Sequence, residues 1–318
     1  MFNYERARML SKIKPEVEVP NGLEVVIWGL RKKRDTFRYI HMACFNVLKK
    51  SGASVIWVDD HPRNRSAVSN KSIVLAVNNA SKHLPKVKGT RYVLHNINPE
   101  PFLPFLNKRS HLLQIQVWTK SALGNPQAQE LIPCVSLDTT NYVLYQPWGT
   151  PFAIHEWVRK PIKAKLATEF WIGSVWNNAL NQGNRQMYGE WLQVLRSHGI
   201  DLRKMPYGWP DTKFTYGSLV RLSSIAGAVV GEWQRDNGYI PCRLFKNISF
   251  GAVPVGNSRF FSRIFGASAV TGDSLEEVLS NYLELALREK IERLHSAQEL
   301  MIAYTYEAAF NRILAQVL

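Results

Sequence analysis

Two doubly wound α/β domains facing a cleft are the fold this sequence predicts, and three observations predict it. Short apolar, β-branched runs alternate with helical stripes in both halves of the chain. The length, 318 residues, exceeds what one small core organises. A Pro-rich, aromatic stretch with neither period, "YQPWGTPFAIHEWVRKPIK" at 145–163, separates the two alternating regions. The expected boundaries are 1–155 for the first domain and 156–295 for the second, with 296–318 a helix able to cross back to the first.

"LEVVIWG" at 23–29 is an apolar, β-branched run ended by glycine, which predicts a buried strand. After the basic loop "LRKKR", Asp35 is placed to cap a helix whose stripe is Phe37, Ile40, Cys44, Phe45 and Leu48. "KKSG" then supplies a cationic last turn, with Gly52 as terminator. "ASVIWVDD" at 53–60 is a second strand, and strand, helix, strand in this span is a βαβ unit with parallel pairing. "SIVLAV" (72–77), "RYVLHN" (91–96) and "LLQIQVW" (112–118) predict further strands.

In the second half, "EFWIGSVW" (169–176) predicts a strand reaching Gly173, followed by the polar loop "NNALNQGNR" and the helix "QMYGEWLQVLRSHG". "SIAGAVVGE" (224–232) and "AVPVGN" (252–257) predict two more strands, and the chain from 274 onward is helix-forming.

The composition excludes several classes. An apolar fraction of 46% with 10 Trp, 12 Tyr and 14 Phe rules out a disordered polymer. Cys44, Cys134 and Cys242 lie far apart without CxxC or Cys/His spacing, so neither a disulfide framework nor structural zinc is expected. No leader-like apolar segment opens the chain and no run approaches the roughly 18 apolar residues of a membrane span. A cytoplasmic protein without a transmembrane segment, at most peripheral at a membrane, is expected. "WGLRKKR" after the first strand is not the GxGxxG of a dinucleotide oxidoreductase.

Charge is more informative. The formal net is +15, and residues 1–150 hold 21 Lys+Arg against 10 Asp+Glu. A field of that size draws polyanions: nucleic acid, an anionic membrane face or phosphorylated glycans. Arg31, Lys32, Lys33, Arg34 and Arg38 cluster at the loop after the first strand, with Lys82, Lys86, Lys88 and Arg91 as a second group. Trp28, Trp57, Trp118 and Trp148 lie near strand ends, where rings stack on sugars or bases unless they belong to the core.

"GYIPCRLFKNISFGAVPVGN" at 238–257 carries the sharpest signal. Pro241 suits the first turn of a short helix and Gly251 the position past its end. Leu244, Phe245 and Ile248 share one side; Arg243, Lys246 and Asn247 share the other, near the N-terminus, where free N–H groups favour an anion. That arrangement suits a diphosphate, with Arg243 bidentate, Lys246 a point charge and Asn247 on a sugar hydroxyl. A solvated amphipathic helix has the same spacing.

This segment resembles the donor-site region of GT-B glycosyltransferases, which have two Rossmann-like domains. "WIGSVW" followed by Arg185 resembles the strand and glycine loop that open the nucleotide domain in group-1-like members. "GYIPCRLFKNISFGAVPV" is similar to the signature of viral, phage and bacterial glycosyltransferase-like proteins, and "RDTFRYIHMACFNVLKKSGASVIWVDD" and "YQPWGTP" look like their first domain and inter-domain segment. The resemblance covers most of residues 24–257. It implies a nucleotide-sugar donor, a UDP- or GDP-sugar, near Gly173, Ser174, Arg185, Glu232, Tyr239, Ile240, Arg243, Lys246 and Asn247. The acceptor falls to the first domain, with Arg31, Lys32, Lys33, Arg34 and Arg38. One departure stands out: the places of the retaining enzymes' Glu-x7-Glu pair hold Tyr239 and Lys246, and Glu232 is the partial substitute. No metal-binding DxD is evident, so phosphate charge is expected to be met by Arg, Lys and a helix dipole without a required metal.

An inverting transfer needs a base for the acceptor hydroxyl. The candidates sit at the carboxyl ends of first-domain strands: Asp60 with its neighbours Asp59 and His61, His95 after "RYVL", and His41 in the first helix. The acceptors that fit are an anionic glycan or glycolipid at a membrane surface, DNA with a hydroxymethylated base flipped into the cleft, or a glycoprotein. A nonenzymatic polyanion-binding α/β protein is the reading from a different class.

Overall fold

The structure, a computed structural model, describes residues 19–32, 36–77, 80–96, 111–115, 136–138, 142–163, 165–205 and 213–318. Lys33, Arg34, Asp35, Trp118 and Cys134 lie outside them. Two compact units form, one comprising Pro15–Trp148 with Tyr306–Leu318, the other containing Gly149–Thr305.

The first unit is an α/β layer built on strands β1 (Glu24–Trp28), β2 (Ser54–Val58), β3 (Ser72–Val77), β4 (Arg91–His95), β5 (His111–Ile115), β6 (Ser136–Asp138) and β7 (Val143–Tyr145). Their order is β2-β1-β3-β4-β5-β7-β6, parallel except for the antiparallel pair β6–β7. This six-strand parallel core is Rossmann-like. The Val/Ile/Leu-rich β3 is buried along its whole length, as a central strand of a parallel sheet must be, whereas the edge strand β2 is half exposed.

One sheet face is closed by two helices. Helix α1 (Thr36–Lys50) contributes Ile40, Cys44 and Leu48 to the cluster formed by Val25, Ile27, Ile73, Leu75 and Val93. Gly52, at φ 85°, closes α1 as its position predicts, and its N–H reaches the carbonyl of Lys49. The last helix, Tyr306–Val317, adds Tyr306, Phe310, Ile313 and Leu314 to the same cluster, and Tyr306 stacks on Trp148 with ring centroids 5.0 Å apart. Strands β6 and β7 escaped the sequence reading because three-residue runs carry no period; Tyr145, expected to open the crossing segment, ends β7.

Among the described residues the second unit has one short parallel pair, β8 (Thr168–Trp171) with β9 (Asp201–Lys204), among helices α2 (Arg185–Ser197), α3 (Lys213–Leu222), α4 (Glu232–Asp236), α5 (Cys242–Ser249), α6 (Arg259–Phe265), α7 (Leu275–Leu283) and α8 (Leu287–Met301). The expected strands at 224–232 and 252–257 do not form as ladders; only an isolated bridge joins Val255 to Val270.

The reason is visible in their hydrogen bonds. The N–H of Gly227 donates to the Glu169 carboxylate, the carbonyl of Val229 accepts from Arg243, and the Asn257 carboxamide serves both the N–H and the carbonyl of Val230. Side chains thus take most of the backbone groups a neighbouring strand would need, and the buried segment stays extended and satisfied. Trp171, Trp191, Ile225, Val229, Val253, Val278 and Leu279 fill the core around it.

Candidate functional site

Helix α5 begins after Pro241, which is its N-cap rather than its first residue, with φ −73° and ψ 137°. It ends where the sequence predicts: Gly251 takes φ 93° and Ala252 N–H returns to the carbonyl of Asn247, a Schellman closure. Leu244, Phe245 and Ile248 are buried, so the apolar side faces inward as expected.

The polar side divides. Asn247 is 4% exposed; its amide donates to the carbonyl of Ala226 and its oxygen accepts from the Tyr216 hydroxyl. Both ends of the carboxamide are engaged inside the unit, so Asn247 fixes the helix to the 226–230 segment. Lys246 stays half-buried, its Nζ 5.7 Å from the centroid of the Tyr216 ring.

Arg243 is held from two directions. Its guanidinium carbon sits 3.8 Å from the centroid of Trp171, and its Nη2 donates to the carbonyl of Val229 at 2.7 Å. Nη1 points toward Gly173, whose φ of 144° is left to glycine and where an added Cβ would lie 3.7 Å from that nitrogen. Burial disfavours its charge, while Tyr216 and the buried Glu169 act in the opposite sense. Two buried N–H donors, Arg243 Nε and Trp171 Nε1, find no acceptor. Buried donors are nearly always paired, so these two, one of them part of the guanidinium itself, are exceptions in this region.

Glu169, two residues before Trp171, supports this arrangement and is 1% exposed. It accepts from Trp191 Nε1 at 2.8 Å and Gly227 N–H at 2.9 Å, and burial raises its pKa to about 7 against the pull of those donors and of Arg243. Sequence reading passed over it because a charged residue opening a strand looks like a boundary.

The other expected donor residues have different roles. Ser174 offers its carbonyl to Asn184, whose carboxamide also receives Trp176 N–H and so fixes the loop before α2. Arg185 is exposed at the start of α2, and Glu232 is exposed at the start of α4, 3.8 Å from Arg235. Tyr239 is half-buried and burial pushes its hydroxyl pKa up; Ile240 is fully buried in the core.

In the first unit, the strand order places a topological switch point between β1 and β3, the position where parallel sheets bind ligands outside their carboxyl ends. After β1, Gly29 and Leu30 both take positive φ (87° and 64°), and a Cβ on Gly29 would lie 2.7 Å from Ala80. Leu30 is buried with Val77 and Ala80, which turns the exposed Arg31 and Lys32 outward. Arg38 donates to the carbonyl of Arg31.

The three expected bases are occupied or enclosed. Asp60 accepts from Trp28 Nε1, Lys82 N–H and His83 N–H, tying the loops after β2 and β3 together. His95 is fully buried and its Nε2 accepts from Trp148 Nε1. His41 is fully buried against Trp57, 3.4 Å from the carbonyl of Gly29, and burial lowers its pKa to about 4. Asp59 differs: Oδ1 accepts from Lys32 N–H, and Oδ2 has no hydrogen-bond partner among the described residues. Trp28 and Trp148 are core, while Trp57 is half-buried with its indole N–H on Gly29.

Among the described residues no group of three His, Cys, Asp or Glu side chains is gathered to hold a metal, and no helix is long and apolar enough to cross a membrane. No protein-family model, no curated protein and no solved structure matches the chain.

Proposed function

We propose that the chain is a glycosyltransferase that takes a sugar from a UDP- or GDP-sugar and delivers it to a hydroxyl of an anionic acceptor. The observation that carries the reading is Arg243: a guanidinium stacked on Trp171, tied to Val229, with Nη1 and Nε uncommitted beside Gly173. A stacked, tethered arginine loses little freedom on meeting a diphosphate, so its charge-assisted hydrogen bonds are pre-organised for the leaving group. Lys246 supplies a second positive charge from the same helix.

The reading assigns the acceptor to the basic loops of the first unit. Asp59 takes the role of base: its free oxygen is able to accept the acceptor's proton while Asp60 is engaged in structure.

The test is thermal stabilisation by UDP, GDP, CDP, ADP and dTDP of wild type, Arg243→Ala and Lys246→Ala. One nucleotide at about a hundredfold excess over Kd should add about 2.7 kcal/mol to wild type. The shift should be lost in both variants, of which Lys246→Ala removes a half-buried side chain with no hydrogen bond to another group. A flat wild-type panel overturns the reading.

A further inference from the structure

We infer that the carboxyl edge of the seven-stranded sheet binds the phosphodiester backbone of nucleic acid without reading sequence. The inference goes beyond sugar transfer and stands without it, because it rests on the first unit alone.

Three loops on neighbouring strands build the surface. Arg63 and Arg65 project from the short 3-10 turn Pro62–Ala67 after β2, Arg31 and Lys32 from the loop after β1, and Lys82 from the loop after β3. All five are exposed, and none pairs with a carboxylate among the described residues. The sequence reading missed Arg63 and Arg65, which stand in the unremarkable polar stretch "HPRNRS" at 61–66.

The two acids of this edge, Asp59 and Asp60, also hold its loops together. Asp60 receives two loop N–H groups and an indole; Asp59 receives Lys32 N–H and offers its own carbonyl to the Asn64 side chain. Arg65 Nε also reaches the carbonyl of His83, joining the loops after β2 and β3. The two carboxylates fix the loop backbones in place and keep their own charge, so this edge carries five cations against two acids and stays positive.

The shape of the charge selects the ligand. Because β2, β1 and β3 are adjacent, the row runs about 10 Å across the sheet edge at the usual strand spacing, longer than one phosphate and comparable to successive phosphates of a polymer. Among the described residues the loops carry no exposed large apolar side chain; those of the unit are Ile56 on β2 and Leu318 at the end of the chain. A surface that inserts nothing apolar favours a hydrated phosphodiester chain over a bilayer. Arginine supplies three of the five cations and suits bidentate contact with phosphate oxygens.

The experiment is fluorescence anisotropy of the full chain with a labelled 30-base-pair duplex and a 30-nucleotide single strand across a salt series, beside sedimentation with phosphatidylserine vesicles. Arg63→Glu/Arg65→Glu and Arg31→Glu/Lys32→Glu are compared with Lys71→Glu/Lys88→Glu, which makes the same charge change at exposed sites near the starts of β3 and β4. Wild type should bind nucleic acid with a steep salt dependence, and each carboxyl-edge pair should weaken it at least about tenfold and flatten the slope by about two. The control pair should stay within about threefold of wild type, and melting temperatures confirm that every variant is folded. Equal weakening by all three pairs would show net charge rather than a site and overturn the inference. So would vesicle binding without nucleic-acid binding, or no binding at low salt. Failure of the nucleoside diphosphate panel leaves this result untouched, since none of these substitutions alters Arg243 or Lys246.

Discussion

The Arg243 guanidinium rests 3.8 Å from the centre of the Trp171 ring, on a residue that closes β8 two places before Gly173. The ring fixes the plane of the cation and the Val229 carbonyl fixes its rotation. Position and orientation are therefore both set by the protein itself, which is what distinguishes this arginine from the exposed Arg185.

That relationship predicts an asymmetry between two conservative substitutions. Arg243→Lys keeps the charge but loses the planar stack, the Val229 tether and the fork, so nucleoside diphosphate affinity should fall at least about tenfold, or about 1.4 kcal/mol. Trp171→Phe keeps an aromatic perch and should cost affinity only a few-fold. Isothermal titration decides; equal affinity for wild type and Arg243→Lys would mean the guanidinium geometry is irrelevant to binding.

Glu169 gives the second unit a pH-dependent stability. Its pKa rises from 4.5 to about 7 on folding, so the folded state holds the proton more tightly than the unfolded chain does. The resulting stability is fully present below about pH 4.5 and lost as pH rises through about 7, on the order of 3 kcal/mol. Glu169→Gln carries no titrating group and should remove this downward slope between pH 5 and 8. A Glu169→Gln melting curve with the wild-type pH slope would place the titration elsewhere.

His41 acts with the opposite sign in the first unit. Enclosure lowers its pKa from 6.5 to about 4, so it is neutral when folded and takes a proton readily only when unfolded. Its contribution is present above about pH 6.5 and is lost as pH falls toward 4, again on the order of 3 kcal/mol. His41→Phe, which keeps a ring against Trp57, should make the first unit less sensitive to acid. Denaturant unfolding at pH 4.5 and 7.5 measures the difference, and an unchanged acid sensitivity would sink the assignment.

The parallel sheet was legible because burial on both faces demands unbroken apolar runs, and "VVIW", "SVIWV" and "SIVLAV" announce them. The segment 224–230 looks the same to a pattern reader, yet Glu169, Arg243 and Asn257 come from elsewhere in the chain to take its backbone groups, and no local signal carries that. Asn247 illustrates the limit at the site. Spacing groups it with Arg243 and Lys246, but its partners Tyr216 and Ala226, 31 and 21 residues away, hold its carboxamide inside the unit. The basic edge was half legible: Arg31 and Lys32 stand in an obvious run, whereas Arg63 and Arg65 acquire meaning only once β2 is seen beside β1.

The adjacent pair Asp59 and Asp60 separates catalysis from scaffolding. Asp60→Asn turns one acceptor oxygen into a donor facing Trp28, Lys82 or His83, leaving a part-buried N–H unpaired and costing about 1–3 kcal/mol of stability. Asp59→Asn disturbs one hydrogen bond, to Lys32 N–H, which the new carboxamide oxygen still accepts, so stability should change by less than about 0.5 kcal/mol. If Asp59 is the base, sugar transfer should fall about 100-fold or more in Asp59→Asn at unchanged nucleoside diphosphate affinity. Asp60→Asn should lower the melting temperature and leave the residual rate per folded molecule within about threefold of wild type. The two substitutions must therefore diverge in opposite readouts, and Asp59→Asn with full transfer activity would remove it from the chemistry.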